Sequence, residues 1–165
     1  KIIHHALKNN YITEFKNSSQ IKTEVNFGPN TRFDFLIIKK NSKAFIEVKN
    51  VTLSRKNKLA EFPDAITKRG LKHIHELLNA SKKNYKIFLI YLIQRDDCES
   101  LSIAEDIDPN YANALNKALK DKLKVLCYDC KFLSKGIKLN KQIKFKIKWI
   151  TIIKKHLKKL KLLDQ

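Results

Sequence analysis

Seven consecutive apolar residues, Ile87-Phe88-Leu89-Ile90-Tyr91-Leu92-Ile93, constrain this chain more than any other segment. A strand with one wet face alternates apolar and polar residues; this run does not, so both of its faces must be covered. That is the pattern of a central strand between layers of helices. The rest of the chain supplies candidates for those layers. Ile2, Ile3, Ala6, Leu7 and Tyr11 recur at helical spacing and predict an amphipathic helix over 1–12. Pro63-Asp64 is expected to open a second helix, with Ala65, Ile66, Leu71, Ile74, Leu77 and Leu78 on its buried side. Gly70 inside it marks close packing or the approach of a ligand. Tyr111, Ala114, Leu115, Ala118 and Leu119 predict a third helix. Alternation over Ile21–Phe27 and the run Val125-Leu126-Cys127-Tyr128 read as strands, whereas Thr52–Glu61 and Arg95–Pro109 read as polar connections. The resulting order, α-β-β-β-α-β-α-β, predicts an α/β domain with a mixed sheet flanked by helices.

Chemistry concentrates on one predicted hairpin. Its strands are Arg32–Ile38 and Ala44–Lys49, joined by Lys39-Lys40-Asn41-Ser42-Lys43. A turn centred on Asn41-Ser42 sets Asp34 opposite Lys49 and Leu36 opposite Glu47. Alternation then places Asp34, Glu47 and Lys49 on one face, and Phe33, Phe35, Ile37, Ile46 and Val48 on the other, a core face. Two carboxylates can hold a divalent metal through oxygen, and a neighbouring lysine can orient a water or steady charge on a phosphate. The plainer reading is a solvated strand face with a cross-strand Asp34–Lys49 pair. Leu36, Ile38 and Phe45 share the face with the charges, and charged groups among apolar neighbours need partners or a metal.

The net charge is +19, and residues 131–165 alone contribute +11 of it, with twelve lysines against the single acid Asp164. Such a surplus attracts polyanions, nucleic acid foremost. Only four of the 35 basic residues are arginine (Arg32, Arg55, Arg69 and Arg95). Lysine suits phosphate and arginine suits base edges, so the balance points to backbone contacts. At the end of the chain, Ile143, Phe145, Ile147 and Trp149 alternate with Lys144, Lys146 and Lys148, predicting a strand with one basic face. Ile150, Ile153, Leu157 and Leu160 then follow helical spacing, with Lys154, Lys155, Lys158 and Lys159 opposite. A basic amphipathic helix of this kind docks on a core, binds nucleic acid or lies on a membrane.

At 165 residues and 43% hydrophobic, the chain can bury a proper core, and it holds no run of 18 apolar residues. Three cysteines, an odd number, suit a reducing cytoplasm better than a disulfide scaffold. Cys127-Tyr128-Asp129-Cys130 is a lone CxxC; its thiols would point to opposite faces of a strand, so they read as core or edge residues. Three glycines (Gly28, Gly70 and Gly136) leave no phosphate-cradling glycine loop.

Taken together, these pieces resemble the sugar fermentation stimulation protein family. The matching stretches are Glu24-Val25-Asn26-Phe27-Gly28, Arg32-Phe33-Asp34-Phe35, Glu47-Val48-Lys49-Asn50-Val51-Thr52-Leu53 and Phe62-Pro63-Asp64-Ala65. Thr67, Arg69-Gly70 and His73 follow, then Gln94-Arg95 and Asp108-Pro109 with Tyr111. Thr31 stands where the family usually has serine, and the tail after about residue 148 has no counterpart in it. The resemblance implies a restriction-endonuclease-like PD-(D/E)xK domain over 1–147, followed by the basic tail 148–165. In the family an oligonucleotide-binding-type barrel precedes that domain, and this sequence starts where the second domain would begin. The resemblance also implies DNA binding linked to the regulation of sugar use.

Residue roles follow from the chemistry and the resemblance together. Asp34 and Glu47, with the carbonyl of Val48, would ligate Mg²⁺ or Mn²⁺, and Lys49 would position the attacking water. Glu24 would support the metal, and Gln94, ending the central strand where open α/β sheets place ligands, resembles the extra polar residue of this fold. Arg32, Thr67, Arg69 and His73 are candidates for phosphate contact, together with Lys154, Lys155 and Lys158 of the tail. Three readings of function stay open: a DNA-binding protein on a nuclease-type fold, an active Mg²⁺-dependent nuclease, and a non-catalytic module whose tail meets acidic partners or anionic lipid.

Overall fold

In the computed structural model, residues 1–147 are described. The expected tail helix, with Lys154, Lys155 and Lys158, lies outside them, as does Trp149. The uninterrupted apolar run is the strand β5 (Lys86–Ile93), inside a six-stranded sheet. Beside it run β3 (Ser42–Val51) and β7 (Lys124–Leu133), both parallel to it. Outside these lie β2 (Arg32–Lys39) and β1 (Gln20–Asn26) on one side and β8 (Gly136–Gln142) on the other, all antiparallel to their neighbours. The mixed α/β architecture expected from the sequence is present.

Both faces of β5 are covered, as its composition requires. Leu89, Tyr91 and Ile93 pack with Ile74 and Leu77 of α2 (Lys68–Lys82) and with Tyr111 and Leu115 of α3 (Pro109–Asp121). Phe88, Ile90 and Leu92 pack on the other face with Ile3, Ala6 and Leu7 of α1 (Ile2–Lys8) and with Phe15. Each fully buried side chain of this size contributes about 1.5–3 kcal/mol through loss of water contact. Cys127 faces the α2/α3 layer and Cys130 the α1 layer, so the CxxC thiols do diverge.

Several local expectations shift. The first helix stops at Lys8, and Tyr11 is exposed rather than buried. The second starts at Lys68, not at Pro63-Asp64, because the Thr67 hydroxyl accepts from the Gly70 amide at 3.0 Å and caps it there. Ile66, expected on its buried side, is 72% exposed. The segments read as connections contain β4 (Leu59–Phe62) and β6 (Ser100–Ile103). With β9 (Lys144–Lys146) these form a second, parallel three-stranded sheet, and β9 is all of the predicted terminal strand found among the described residues.

The hairpin register also differs from expectation. Lys39 pairs with Ser42 across the turn Lys40-Asn41, so Leu36 lies opposite Phe45 and Phe35 opposite Ile46. Apolar groups thus meet apolar groups, where the expected register set Leu36 against Glu47. The slip is by two residues, so the side-chain alternation of each strand is unchanged, but the Asp34–Lys49 cross-strand pair is removed.

Candidate functional site

The ladder between β2 and β3 gives out beyond Phe35 and Ile46. There Asp34 takes over, its Oδ2 accepting from the Val48 backbone amide at 2.7 Å. The strands twist sharply at this point. Phe33 and Val25 pack on the α2/α3 side, whereas Phe35 and Ile21 pack on the α1 side, so Phe33 does not share the face of Phe35 as expected. Glu24, adjacent in β1, adopts the left-handed region at φ 52°. Asp34 therefore sits at a crossover between the two faces, half-buried.

Glu47 is buried on the α2 side of β3. Its Oε1 accepts from the Lys49 ammonium at 2.8 Å and meets Nδ1 of His73 from α2. Its Oε2 is buried and has no hydrogen-bond partner among the described residues. Orphaned buried carboxylate oxygens are rare because desolvating one costs several kcal/mol. The two carboxyls are pushed apart electrically. Burial, then the charge of Glu47, raises the Asp34 carboxyl above its usual range, against the Val48 amide and Lys49, which lower it. Burial alone would raise Glu47 too, but the His73 hydrogen bond and the Lys49 charge together hold it below its ordinary value. Neighbouring acids with opposed shifts are a recurring mark of functional sites.

A cleft of about 590 Å³ opens beside Asp34 on the α1 side. Glu24, Val48, Asn50 and Gln94 line it, with His4 from α1. Gln94 follows β5 directly and is fixed by its backbone amide, which donates to the Val51 carbonyl at 2.8 Å. Asp34, Glu24, Val48 and Gln94 are thus brought together, while Glu47 and Lys49 approach from the other face of β3. Among the described residues no three His, Cys, Asp or Glu side chains gather closely enough to hold a metal by themselves.

The expected phosphate contacts are placed less uniformly. Arg32 is exposed and ion-paired to Glu24 at 2.8 Å. Arg69 is exposed on the first turn of α2. The Thr67 hydroxyl is engaged as the helix cap, and its backbone amide donates to Asp108 at 2.9 Å. His73 differs most: it is buried and holds Glu47, so it cannot serve as a surface phosphate contact. Its position was legible, since Gly70, His73, Ile74 and Leu77 form one i, i+3, i+4, i+7 stripe on α2. Sequence reasoning also missed the internal role of Asp108, a buried acid joining the starts of α2 and α3. Gly70 proves to be a packing glycine: a Cβ there would lie 2.7 Å from Thr67 Oγ1 and 3.2 Å from Tyr111 Cε2.

Residues 1–136 match the family model described as the sugar fermentation stimulation protein RE domain. The chain belongs to the sugar fermentation stimulation protein family. It is 49% identical over 144 residues to the sugar fermentation stimulation protein homolog of Pelagibacter ubique, covering 87% of this chain and 62% of that protein. The homolog of Agrobacterium fabrum is 41% identical over 131 residues, covering 79% of this chain and 55% of its own length. The chain therefore spans roughly 60% of the length of the family members it matches. Among solved structures, one described as Pyrococcus furiosus SfsA in complex with Ca²⁺ is similar in fold, with a TM-score of 0.80 at 23% identity. That match covers 88% of this chain and 62% of the other. Asp34, Glu47, Lys49, His73 and Gln94 all fall within the stretch matched to the family's RE domain.

Proposed function

We propose that this family member is a DNA-binding protein whose Asp34–Glu47–Lys49 centre hydrolyses phosphodiesters with Mg²⁺ or Mn²⁺. The orphaned Oε2 of Glu47 carries the reading: a buried, ionised oxygen without a donor is what a hard cation satisfies. The donors available fit such an ion in kind, all being oxygens, with Asp34 and Glu47 supplying charge and the Val48 carbonyl a neutral ligand. When bound, the ion would acidify a water and stabilise charge developing on the phosphate. Lys49, held against Glu47, keeps a positive charge where an anionic phosphate must come. Gln94 and Glu24 line the entry, and Glu24 restrains Arg32 beside it. The Ca²⁺ in the Pyrococcus furiosus relative's description accords with a hard-cation site. Surplus lysine favours the phosphate backbone over base edges. Free, buried cysteines accord with the cytoplasm, where such a protein would meet DNA.

A second reading keeps DNA binding and drops cleavage. It is favoured by the saturation of Glu47 Oε1, which His73 and Lys49 share, leaving one oxygen for an ion. On that reading the link to sugar use in the relatives' name would run through regulation by DNA binding. Plasmid nicking with Mg²⁺ or Mn²⁺ separates the two. Cleavage by wild type that disappears in Glu47→Gln and Lys49→Ala supports the nuclease. Equal residual cleavage in all three leaves only the binding protein.

A further inference from the structure

The β7–β8 hairpin extends past β5 at the end where Lys49 and Gln94 lie, and its tip carries exposed apolar residues. Phe132 and Leu133 are about half exposed there, at 51% and 49%. Exposed Lys131 and Lys138 stand directly opposite each other on the reverse face of the hairpin from Phe132, and exposed Lys135 sits in its turn. Like charges set face to face across a ladder are unfavourable unless an anion lies between or beside them. The tip is anchored rather than loose. At its base Asp129 accepts from the Lys141 amide at 2.8 Å and from the Asn140 side chain at 3.2 Å.

Its position ties it to the candidate site. Phe132 pairs with Ile137, so the two side chains share a face, and Ile137 lines the cleft that holds Asp34 and Gln94. Two residues before Phe132, the Cys130 amide donates to the carbonyl of Arg95, the residue after Gln94. An aromatic ring at the rim of a polar cleft, with a lysine in the turn beside it and two more on the reverse face of the same hairpin, suits a flexible strand of nucleic acid whose bases are free. Every base offers a face for stacking, and lysines follow the phosphates. Paired bases are not available in this way.

We infer that the β7–β8 hairpin binds an unpaired nucleic-acid strand running across its tip, with Phe132 stacked on a base on one face, Lys135 at the turn and Lys131 and Lys138 on the reverse face taking the flanking phosphates, and so selects single-stranded or frayed substrates for the adjoining cleft. This inference rests on the nucleic-acid reading above but not on cleavage. The test is fluorescence anisotropy of the full chain in EDTA, using oligothymidylate of about 20 nucleotides and a duplex of the same length. Phe132→Ala should weaken single-strand binding on the order of ten-fold, the loss of one stacked base, while duplex binding holds within roughly two-fold. Phe132→Leu should behave as Phe132→Ala, and Phe132→Tyr as wild type. Equal losses on both probes, or no loss on either, would overturn the hairpin proposal while leaving the nicking result untouched. Failure to bind either oligonucleotide would overturn both readings. A second copy of the chain covering the tip would show as a dimer that Phe132→Ala dissociates, with DNA binding unchanged, and would equally overturn the proposal. Single-strand binding through Phe132 by a protein that cleaves nothing would uphold the hairpin and remove only the nuclease.

Discussion

Nδ1 of His73 meets Oε1 of Glu47 in the protein interior, so a residue of α2 holds the carboxylate that β3 delivers. The contact leaves Oε2 as the free end of Glu47 and couples the helix layer to the candidate centre. His73→Ala should therefore cost about 2 kcal/mol, from an under-satisfied buried acid and a small cavity. His73→Gln, which keeps a donor, should recover part of it. Urea denaturation measures both; unchanged stability in the alanine variant would mean that the contact is not made in solution.

Asp34 and Glu47 should pull stability in opposite directions with pH. The folded Glu47 carboxyl lies below its ordinary 4.5, so its contribution is present above that pH and is lost as pH falls through the folded value. Asp34 is raised above 3.8 by burial and by Glu47, so ionising it opposes folding at neutral pH, and the cost fades as pH falls through its folded value. Asp34→Asn should have a higher Tm than wild type at pH 7, with the gap closing toward acid, yet lose metal-dependent cleavage. A lower Tm at pH 7 would mean that the Val48 hydrogen bond outweighs the charge.

Gly70→Ala should destabilise despite alanine's better helix propensity. The propensity gain is about 1 kcal/mol. Against it, the new Cβ would press on Thr67 Oγ1 and Cγ2 at 2.7 and 2.9 Å, and giving way means losing the cap of α2. A net loss of about 1 kcal/mol is expected in thermal melts; a gain would show that Thr67 can move without cost.

Asp108→Ala removes the acceptor that holds the Tyr111 amide and the Thr67 amide, each at 2.9 Å. One buried and one half-buried amide lose their partner, so about 2–4 kcal/mol should be lost, with Asp108→Asn milder. Hydrogen exchange should report faster opening at the first turns of both α2 and α3. Exchange confined to α3 would sever the proposed link between the helices.

If DNA is held mainly through phosphates, the logarithm of affinity should fall steeply with the logarithm of salt. Removing 148–165, which carries six lysines, should make that slope shallower. A slope that does not change on truncation would take the tail out of the DNA contact.

Much of this arrangement could be read from local pattern. The apolar run 87–93 announced a strand covered on both sides, and it runs inside the sheet between two parallel neighbours. Alternation alone separated Cys127 from Cys130 and set Glu47 and Lys49 on one face of β3, but it did not foresee that Asp34 turns toward the α1 side. These features depend on spacing along the chain, which the backbone converts directly into direction.

What tertiary structure decided were relations between distant segments. The register of β2 on β3 followed from which apolar groups met across the turn, and it set Leu36 against Phe45. The second sheet joins β4, β6 and β9, short strands far apart in sequence whose pairing has no local signature. The twist at Asp34 and the descent of His73 onto Glu47 belong to the same class. Each depends on where a second element packs, and a side chain's partners, burial and charge state are fixed only when that element arrives.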